Sequence, residues 1–421
     1  GHGRARLIDL IGSLGQSSEL LLRVGADPGE ALAARIAAVG ALGERTGSKI
    51  QLTLKGLASV DDVIGCHAVL ALSDLETSKT PSARRSDAGL RIAQLVLTAG
   101  LDGQLSLGGR GDTGGVASLL VSLGEALARR PDVERVLTIG RGTLADTLTT
   151  PGTSTDSALA YAMIAVGDHA RPAETPDAAW EHLPSIKRSL RRVMQQAAPI
   201  DMLHLRMADV GTLAGADVAN ELGVPVCFSA APDPHNVIHS LQSRGELDQD
   251  TFVQLCTQEH AWFRARLVER LAERANRLVL FPRAKPTDLL EVLGIDPRRN
   301  GQRVAVVSEG IDVDLIRRAE ASYSCDASYD DKCTQGQADI LVQLADQIPK
   351  NRRNLPLMLS IGRFNPVKGM ERVAAAWASD PVLQSRYNLV MVGGDLVNPS
   401  QTERAVLDAI DQAVPVKGAL R

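Results

Sequence analysis

Short apolar runs alternate with helix-like stretches from Leu90 onward, and this alternation constrains the fold more than any other feature. Leu90–Thr98 and Val133–Ile139 are each long enough for one buried strand. Apolar residues at helical spacing lie between them: Val116, Leu119, Leu120, Leu123 and Leu127. Four similar runs follow: Met202–Leu205, Val224–Phe228, Arg277–Phe281 and Val304–Val307. Buried strands separated by helices predict an α/β fold with a parallel sheet covered on both faces.

A second alternating series begins near Leu355. Leu357–Ile361 and Tyr387–Val392 are predicted strands, and a helix is predicted over Gln401–Ile410. One further helix face is marked by Met370, Val373, Ala374 and Trp377. Two strand–helix units make about half of a doubly wound domain. We therefore expect the second domain to be incomplete in this sequence.

The first 88 residues differ in pattern from the rest. Leu32, Ile36 and Val39 share one helical face, whereas the alternation at Ile50, Leu52 and Leu54 favours a strand. We expect an N-terminal α/β extension of unknown role, which ends in a polar linker. The predicted domains are therefore this extension over 1–88, a Rossmann-like domain over 89–312, a linker over 313–352, and the start of a second Rossmann-like domain over 353–421.

Composition excludes several functional classes. The 46 basic and 50 acidic residues give a net charge of −4, so no nucleic-acid partner is indicated. No apolar run approaches the roughly 18 residues needed to span a bilayer. The five cysteines are scattered without the Cys/His spacing of a zinc site, and a reducing cytoplasm is the simplest location. The oligomeric state is left open.

A glycine-rich loop precedes the helix of the first predicted strand–helix unit. Gly109, Gly111 and Gly114 match the G-x-G-x-x-G pattern of dinucleotide sites, but they follow the strand at a distance of about ten residues rather than directly. Gly114 and Gly115 at the helix start would offer backbone N–H groups to an anion. Three possibilities stay open here: a phosphate-binding loop, a dinucleotide site and a structural turn.

The segment Ile361–Gly369 places two cations near the end of a predicted strand. Arg363 follows the strand, and Lys368 lies five residues on, at the start of the next helix. Arginine can bind a phosphate as a fork and lysine as a point charge, so both can converge on one diphosphate. The alternative is a solvated pair. A basic helix face at Lys187, Arg188, Arg191 and Arg192 has the same two interpretations, an anion site or solvated surface.

Short motifs occur in a fixed order across residues 88–421: Asp112-Thr113-Gly114-Gly115, Val133–Arg141, Trp180–Pro184, His204–Gly211, Leu222–Pro225, Ser308–Asp312 and Ile361–Gly369. They resemble the motifs of retaining family 4 glycosyltransferases with the GT-B fold, most of all the sucrose-phosphate synthase branch. The resemblance implies two Rossmann-like domains that face each other across a cleft, the first for the acceptor and the second for a nucleotide diphosphate sugar.

The resemblance also implies roles for individual residues. Arg363 and Lys368 would be catalytic, since they would neutralise the leaving diphosphate. The donor would be bound by Gly114, Gly115, Gly362, Arg363 and Lys368. The acceptor would be bound by Asp112, Thr113, His204, Asp209 and His235. The expected substrates are UDP-glucose and a sugar or sugar-phosphate acceptor such as fructose 6-phosphate, with no cofactor and no metal.

The sequence departs from the family pattern at two places. Ala231 stands where the family has a histidine beside the reacting sugar, and His235 falls where it has an arginine. The acidic E-x7-E motif would lie beyond Arg421. Local roles also stay open: His204 as a satisfied buried histidine, Asp209 as a helix cap and His235 as a surface residue. Two other functions therefore remain, a non-catalytic sugar-nucleotide or phosphosugar sensor and an NAD-dependent dehydrogenase.

Overall fold

A computed structural model describes most of the chain. The described residues are 2–15, 17–77, 89–98, 101, 114–149, 157–168, 171–172, 178–231, 234–258, 260–282, 293–295, 302–314, 316–317, 347–394, 396–397 and 399–414. The chain divides into two compact units. The first comprises Gly1–Ser106 with Leu120–Glu309, and the second comprises Leu107–Leu119 with Gly310–Arg421.

The first unit contains a seven-stranded parallel sheet and a small antiparallel ribbon of two short strands. The strands are β1 (Leu90–Leu95), β2 (Val133–Gly142), β3 (Leu159–Ala165), β4 (Gly167–Asp168), β5 (Arg171–Pro172), β6 (Met202–Arg206), β7 (Val226–Ser229), β8 (Arg277–Leu280) and β9 (Val304–Val306). The sheet order is β3-β2-β1-β6-β7-β8-β9. Counted within this sheet, it extends the 3-2-1-4-5-6 order of dinucleotide-binding folds by one strand. The predicted α/β class and the Rossmann-like sheet are confirmed.

Helices connect these strands along the chain. They are α6 (Gly114–Ala128), α7 (Leu144–Thr149), α8 (Leu183–Gln196), α9 (Val210–Leu222), α10 (Pro234–Ser243), α11 (Gln249–Gln258) and α12 (Ala261–Arg274). The approach of α9 to the sheet depends on a glycine. A Cβ at Gly215 would lie 2.6 Å from Leu205 Cδ2, so only a residue without a side chain fits there.

The N-terminal extension is helical throughout its described residues, and the predicted strand at Ile50, Leu52 and Leu54 is wrong. The helices are α1 (His2–Ser13), α2 (Ser18–Ala26), α3 (Leu32–Leu42), α4 (Ser48–Ala58) and α5 (Val63–Thr77). Ile50 and Leu54 are buried on one face of α4, whereas Leu52 is 74% exposed on the other. Residues four apart share a helix face and residues two apart do not, which explains the misleading alternation.

Helix α8 joins this bundle to the sheet domain. Its apolar face packs into the sheet core through Ile186, Leu190 and Met194, and the helix also contacts α3 and α5. The basic face is neither solvated nor an open anion site, because each of its four cations has a carboxylate partner. Lys187 pairs with Asp217, Arg188 with Asp9, Arg191 with Glu44 and Glu221, and Arg192 with Asp74.

The second unit begins a second strand–helix series, as predicted. Its elements are β10 (Leu357–Ile361), α13 (Met370–Ser379), α14 (Pro381–Arg386), β11 (Asn388–Val392) and α15 (Gln401–Ala413). The two strands pair in parallel. Phe364, Met370, Trp377 and Leu389 belong to its core, together with Val406 and Ile410 of α15. Ser400 and Glu403 form a capping box at the start of α15, which fixes where that helix begins.

Candidate functional site

Strands β1 and β6 lie side by side at the point where the strand order of the first sheet reverses. In open α/β sheets, ligands bind beside the carboxyl ends of the strands at this switch point. The ends of the two strands are linked, because Thr98 Oγ1 donates to Met207 Sδ across 3.7 Å. Met207 has a φ of 74°, which is unusual for a residue other than glycine and marks a sharp turn after β6.

His204 on β6 has a defined partner in the sheet. Its Nε2 lies 2.9 Å from the hydroxyl oxygen of Ser229 at the end of β7. Burial, together with the charge of Arg206, lowers the pKa of His204 to about 4. The imidazole is therefore neutral near pH 7. It can take part in a hydrogen bond, but it carries no positive charge that would attract an anion. An acceptor-binding role for His204 stays a prediction.

We predict that His204 makes the first unit less stable in mild acid. Its pKa is about 4 in the folded chain against 6.5 ordinarily, so the unfolded chain takes up this proton first. The stability contributed by the neutral ring is present above pH 6.5 and is lost as the pH falls towards 4. Relative to His204→Gln, wild type should lose up to about 3 kcal/mol over this window. Urea unfolding at several pH values measures the difference, and parallel pH profiles would contradict the prediction.

Asp209 forms the cap of α9. Its Oδ1 accepts hydrogen bonds from the backbone N–H of Thr212 at 2.8 Å and from the Thr212 hydroxyl at 2.9 Å. Burial raises the pKa of Asp209, and the bonds from Thr212 oppose that shift. Arg264 holds the same turn, since its Nε donates to the Ala208 carbonyl at 3.1 Å. The capping interpretation therefore describes the local role of Asp209, and contact with an acceptor stays a prediction.

Arg206 ends β6 beside His204, and we assigned it no role from the sequence. Its Nη2 donates to Glu309 Oε1 at 2.7 Å, and its guanidinium carbon lies 4.9 Å from the ring centre of Phe281. Only 7% of the side chain is exposed, and Nε has no hydrogen-bond partner. The sequence signal that could have identified Arg206 was its position as a charged residue directly at the end of an apolar strand. Arg206 places a positive charge at the switch point.

The remaining residues predicted for the first domain are less informative. His235 lies on α10, where its Nε2 is 3.3 Å from Glu269 Oε1 on α12. Gly114 begins α6, and a Cβ at Gly115 in the first turn would meet no atom within 4 Å. Asp112, Thr113, Gly109 and Gly111 lie outside the described residues. The roles of all seven stay predictions.

The second unit brings Gly362, Arg363 and Lys368 together after β10. The amide of Gly362 donates to the Val392 carbonyl at 2.9 Å, which continues the pairing of the two strands. Phe364 is only 4% exposed and anchors the segment in the core. Arg363 lies between these two fixed points and is half-buried. A Cβ at Gly362 would be 3.9 Å from Lys368 Cγ, so the lysine stem lies over this glycine.

Backbone contact fixes this segment from the other strand as well. A Cβ at Gly393, directly after β11, would stand 1.6 Å from the Gly362 carbonyl oxygen. Gly394 has a φ of 61°, and a Cβ there would be 2.6 Å from Phe364 Cδ2. Both glycines are therefore required by close approach. The Gly362–Lys368 segment, which we call the cationic loop, is held in place at the carboxyl ends of two parallel strands, where ligands bind in α/β sheets.

We predict that Gly393→Ala displaces the cationic loop. The new methyl group would overlap the Gly362 carbonyl, so the loop must move to admit it. A hydrogen bond to a charged group contributes about 1.5–3 kcal/mol, which corresponds to about 10- to 100-fold in affinity. We expect about 10- to 100-fold weaker binding of pyrophosphate, measured by calorimetry. Gly56→Ala is the control, because a Cβ there meets nothing within 4 Å. Equal affinities in both variants would refute this positioning.

The described residues offer neither a metal-binding cluster nor a membrane-spanning helix. Within that part of the chain, no group of three or more His, Cys, Asp and Glu side chains is arranged to hold a metal ion. None of the helices found there is long and apolar enough to cross a membrane.

Comparison with known proteins gives only distant similarity. No family model and no curated protein matches the sequence. A UDP-GlcNAc 2-epimerase from Neisseria meningitidis, bound to UDP-GlcNAc, is 11% identical, with a TM-score of 0.42 over 79% of this chain and 71% of that one. A UDP-forming trehalose-phosphate synthase from Burkholderia xenovorans is 14% identical, with a TM-score of 0.43 over 77% and 68%. The catalytic domain of starch synthase IV from Arabidopsis thaliana, bound to ADP and acarbose, is 15% identical, with a TM-score of 0.46 over 79% and 73%.

Proposed function

We propose that this chain is a retaining glycosyltransferase that moves a hexose from a nucleotide diphosphate sugar, UDP-glucose first among them, to a sugar or sugar-phosphate acceptor. One observation carries the proposal: the cationic loop is fixed by Phe364 and by the Gly362–Gly393 contact where a diphosphate would bind. The motif order along residues 88–421 supports it, because the loop falls where the resembling family binds its donor.

The cationic loop would act on the leaving group. As the bond between the anomeric carbon and the diphosphate oxygen breaks, negative charge grows on that oxygen. Arg363 and Lys368 would stabilise this charge, while the sugar passes through an oxocarbenium-like state. The acceptor oxygen would attack from the face that the diphosphate leaves, and its proton would pass to a diphosphate oxygen. Fixed donors aimed at developing charge are often the largest contribution to such catalysis.

The acceptor would bind at the switch point of the first sheet. His204 is neutral there and could exchange a hydrogen bond with a hydroxyl, and Arg206, which is paired with Glu309, would supply a positive charge to a sugar phosphate. Asp209 shapes this edge by starting α9 where β6 ends. Cys66, Cys227 and Cys256 are free thiols, in accord with the cytoplasmic location that we propose.

A second candidate is a sensor that binds the same ligands without turnover. One observation favours it: Ala231 follows β7 and presents only a methyl group where the resembling family has a histidine. A sensor would retain the cationic loop and would lose the groups that position the acceptor hydroxyl.

Release of free nucleotide distinguishes the two functions. UDP-glucose, GDP-mannose and ADP-glucose are each incubated with the chain, with and without fructose 6-phosphate or glucose 6-phosphate. A transferase releases nucleotide from one donor in an acceptor-dependent manner, and the product keeps the anomeric configuration of the donor. Saturable donor binding with no release under any of these conditions would support the sensor and overturn the transferase.

A further inference from the structure

Four aromatic side chains lie together on the surface of the first unit. They are two of the protein's three tryptophans and two of its five phenylalanines: Trp180, Phe252, Trp262 and Phe263. The rings of Trp180 and Phe263 meet edge to face with their centres 5.1 Å apart. Those of Phe252 and Trp262 meet in the same way at 6.5 Å. Because Trp262 and Phe263 are neighbours in the chain, the two pairs adjoin, and we call the four side chains the aromatic platform.

Three elements of the fold hold the aromatic platform in place. Trp262 and Phe263 lie in the first turn of α12, and Phe252 lies on α11. Trp180 lies in the 3₁₀ turn Ala178–His182 that precedes α8, where it packs against the hydrophobic core of the sheet domain. Edge-to-face ring pairs are favourable beyond the area that they bury, so each pair fixes the orientation of its rings.

The two central rings of the platform are open to solvent. Trp262 is 56% exposed and Phe263 is 48% exposed, while α12 buries Ala265, Val268 and Leu271 on its other side. Aromatic residues make up only 3% of the chain, so four of them in one place are not a background of scattered rings. Exposed apolar side chains that are grouped rather than single mark a binding surface.

The exposed area suits a small ligand rather than a protein. A fully covered aromatic side chain buries about 150–250 Å², so the exposed halves of Trp262 and Phe263 offer about 200 Å² together. A stable protein–protein interface buries about 800 Å² on each partner. A sugar ring has one flat face of C–H groups with partial positive charge, and the face of an aromatic ring is negative, so the two attract each other.

The platform adjoins the edge of the sheet where we place the acceptor. Arg264 Nε donates to the Ala208 carbonyl at 3.1 Å, which joins the first turn of α12 to the turn after β6. Trp262 and Phe263 directly precede Arg264 in that helical turn. An acceptor with its reacting hydroxyl at the switch point would therefore extend its next ring towards the platform.

We propose that the aromatic platform is a subsite for a sugar ring, and that the acceptor is an oligosaccharide with at least one ring beyond the ring that receives the hexose. Trp262 supplies the main stacking face and Phe263 widens it, while Phe252 and Trp180 hold the two rings from either side. The role as acceptor rests on the proposed function, whereas the binding of a sugar to the platform does not.

Acrylamide quenching of tryptophan fluorescence tests the subsite on the full chain, with no donor present. Trp377, the third tryptophan, is only 5% exposed, so quenching reports mainly on the platform. The probes are maltotriose, cellotriose and glucose. Calorimetry with the same sugars then compares wild type with Trp262→Ala and Phe252→Ala. The control is Leu52→Ala, which removes an exposed apolar side chain of α4, outside the platform.

We expect one of the trisaccharides to protect the tryptophans from quenching, and glucose to do so much more weakly because it covers a single ring. Trp262→Ala should bind that trisaccharide at least about tenfold more weakly, Phe252→Ala less so, and Leu52→Ala like wild type. Absence of protection by both trisaccharides, or equal affinity in wild type and Trp262→Ala, would overturn the proposal. So would protection that follows protein concentration and not sugar, because the platform would then be an interface between copies of the chain.

Turnover separates this inference from the proposed function. In a transferase, Trp262→Ala should raise KM for the trisaccharide acceptor at least about tenfold and leave kcat unchanged, because stacking binds the ground state and the transition state equally. Trisaccharide binding to the platform without nucleotide release from any donor would overturn the transferase and the acceptor role, and it would leave the sugar site in place. Transfer to a trisaccharide with equal KM in wild type and Trp262→Ala would overturn the platform and leave the transferase in place.

Discussion

Arg363→Ala should reduce the rate of nucleotide release by about 10²–10³-fold, with a smaller effect on the affinity for the acceptor. Arg363 is half-buried between two fixed points, the Gly362–Val392 hydrogen bond and the buried ring of Phe364. Its guanidinium would stabilise charge that develops only as the diphosphate leaves. Removal of the guanidinium should therefore lower mainly kcat. Steady-state kinetics with the donor that supports release would measure the change.

Two variants make this test specific. Arg363→Lys keeps the positive charge but not the planar fork, so we expect an intermediate rate. Arg386→Ala removes an exposed arginine at the end of α14 in the same unit and should leave the rate unchanged. If Arg363→Ala turned over at the wild-type rate, the cationic loop would have no catalytic role.

Arg192→Ala should destabilise the first unit by about 3–5 kcal/mol, because it leaves the Asp74 carboxylate buried without its partner. Burial raises the pKa of Asp74, and Arg192 is the main group that opposes this shift in the wild type, with a further contribution from Arg188. Without Arg192 the raised pKa favours protonation in the folded state, so the deficit should shrink as the pH falls. Urea unfolding at about pH 8 and about pH 5 would measure both effects.

The same helix supplies the control for this prediction. Arg191→Ala removes two partly exposed ion pairs, with Glu44 and Glu221, so we expect a loss of about 1 kcal/mol. Adding Asp74→Ala to Arg192→Ala removes the unpaired charge and should recover part of the stability. If Arg192→Ala and Arg191→Ala lost equal stability at both pH values, the Arg192–Asp74 pair would not hold the bundle to the sheet domain.

The central strands of the Rossmann-like sheet were predictable because they are largely buried. Such strands are continuous apolar runs in the sequence, and Leu90–Thr98 and Val133–Ile139 were located within a few residues of β1 and β2. The cationic loop was predictable for a related reason. Gly362, Arg363 and Lys368 are neighbours in sequence, so a single turn after a strand is enough to bring them together.

The strand predicted within the N-terminal bundle was wrong because the helix repeat and the strand repeat coincide over a separation of four residues. Ile50 and Leu54 are four residues apart, a separation that is compatible with one face of either a strand or a helix. Only the exposure of Leu52 distinguishes them, and exposure is a property of the folded chain. Short apolar patterns therefore leave helix and strand undecided until tertiary packing selects one.

Sequence patterns could not identify ion-pair partners that are far apart in the chain. The basic face of α8 was judged as a solvated surface or an anion site because its carboxylate partners are far away in the chain. Asp9 lies 179 residues from Arg188, and Asp74 lies 118 residues from Arg192. The same holds for Arg206 and Glu309, which meet across 103 residues. Burial of a charge identifies such pairs, and spacing does not.

Hydrogen–deuterium exchange with and without UDP tests most directly whether the cationic loop binds a diphosphate. We predict that saturating UDP slows amide exchange over residues 361–369 and at Gly393, that UMP does so much less, and that Arg363→Ala abolishes the protection. Bound UDP that protects other segments and leaves residues 361–369 unchanged would contradict it.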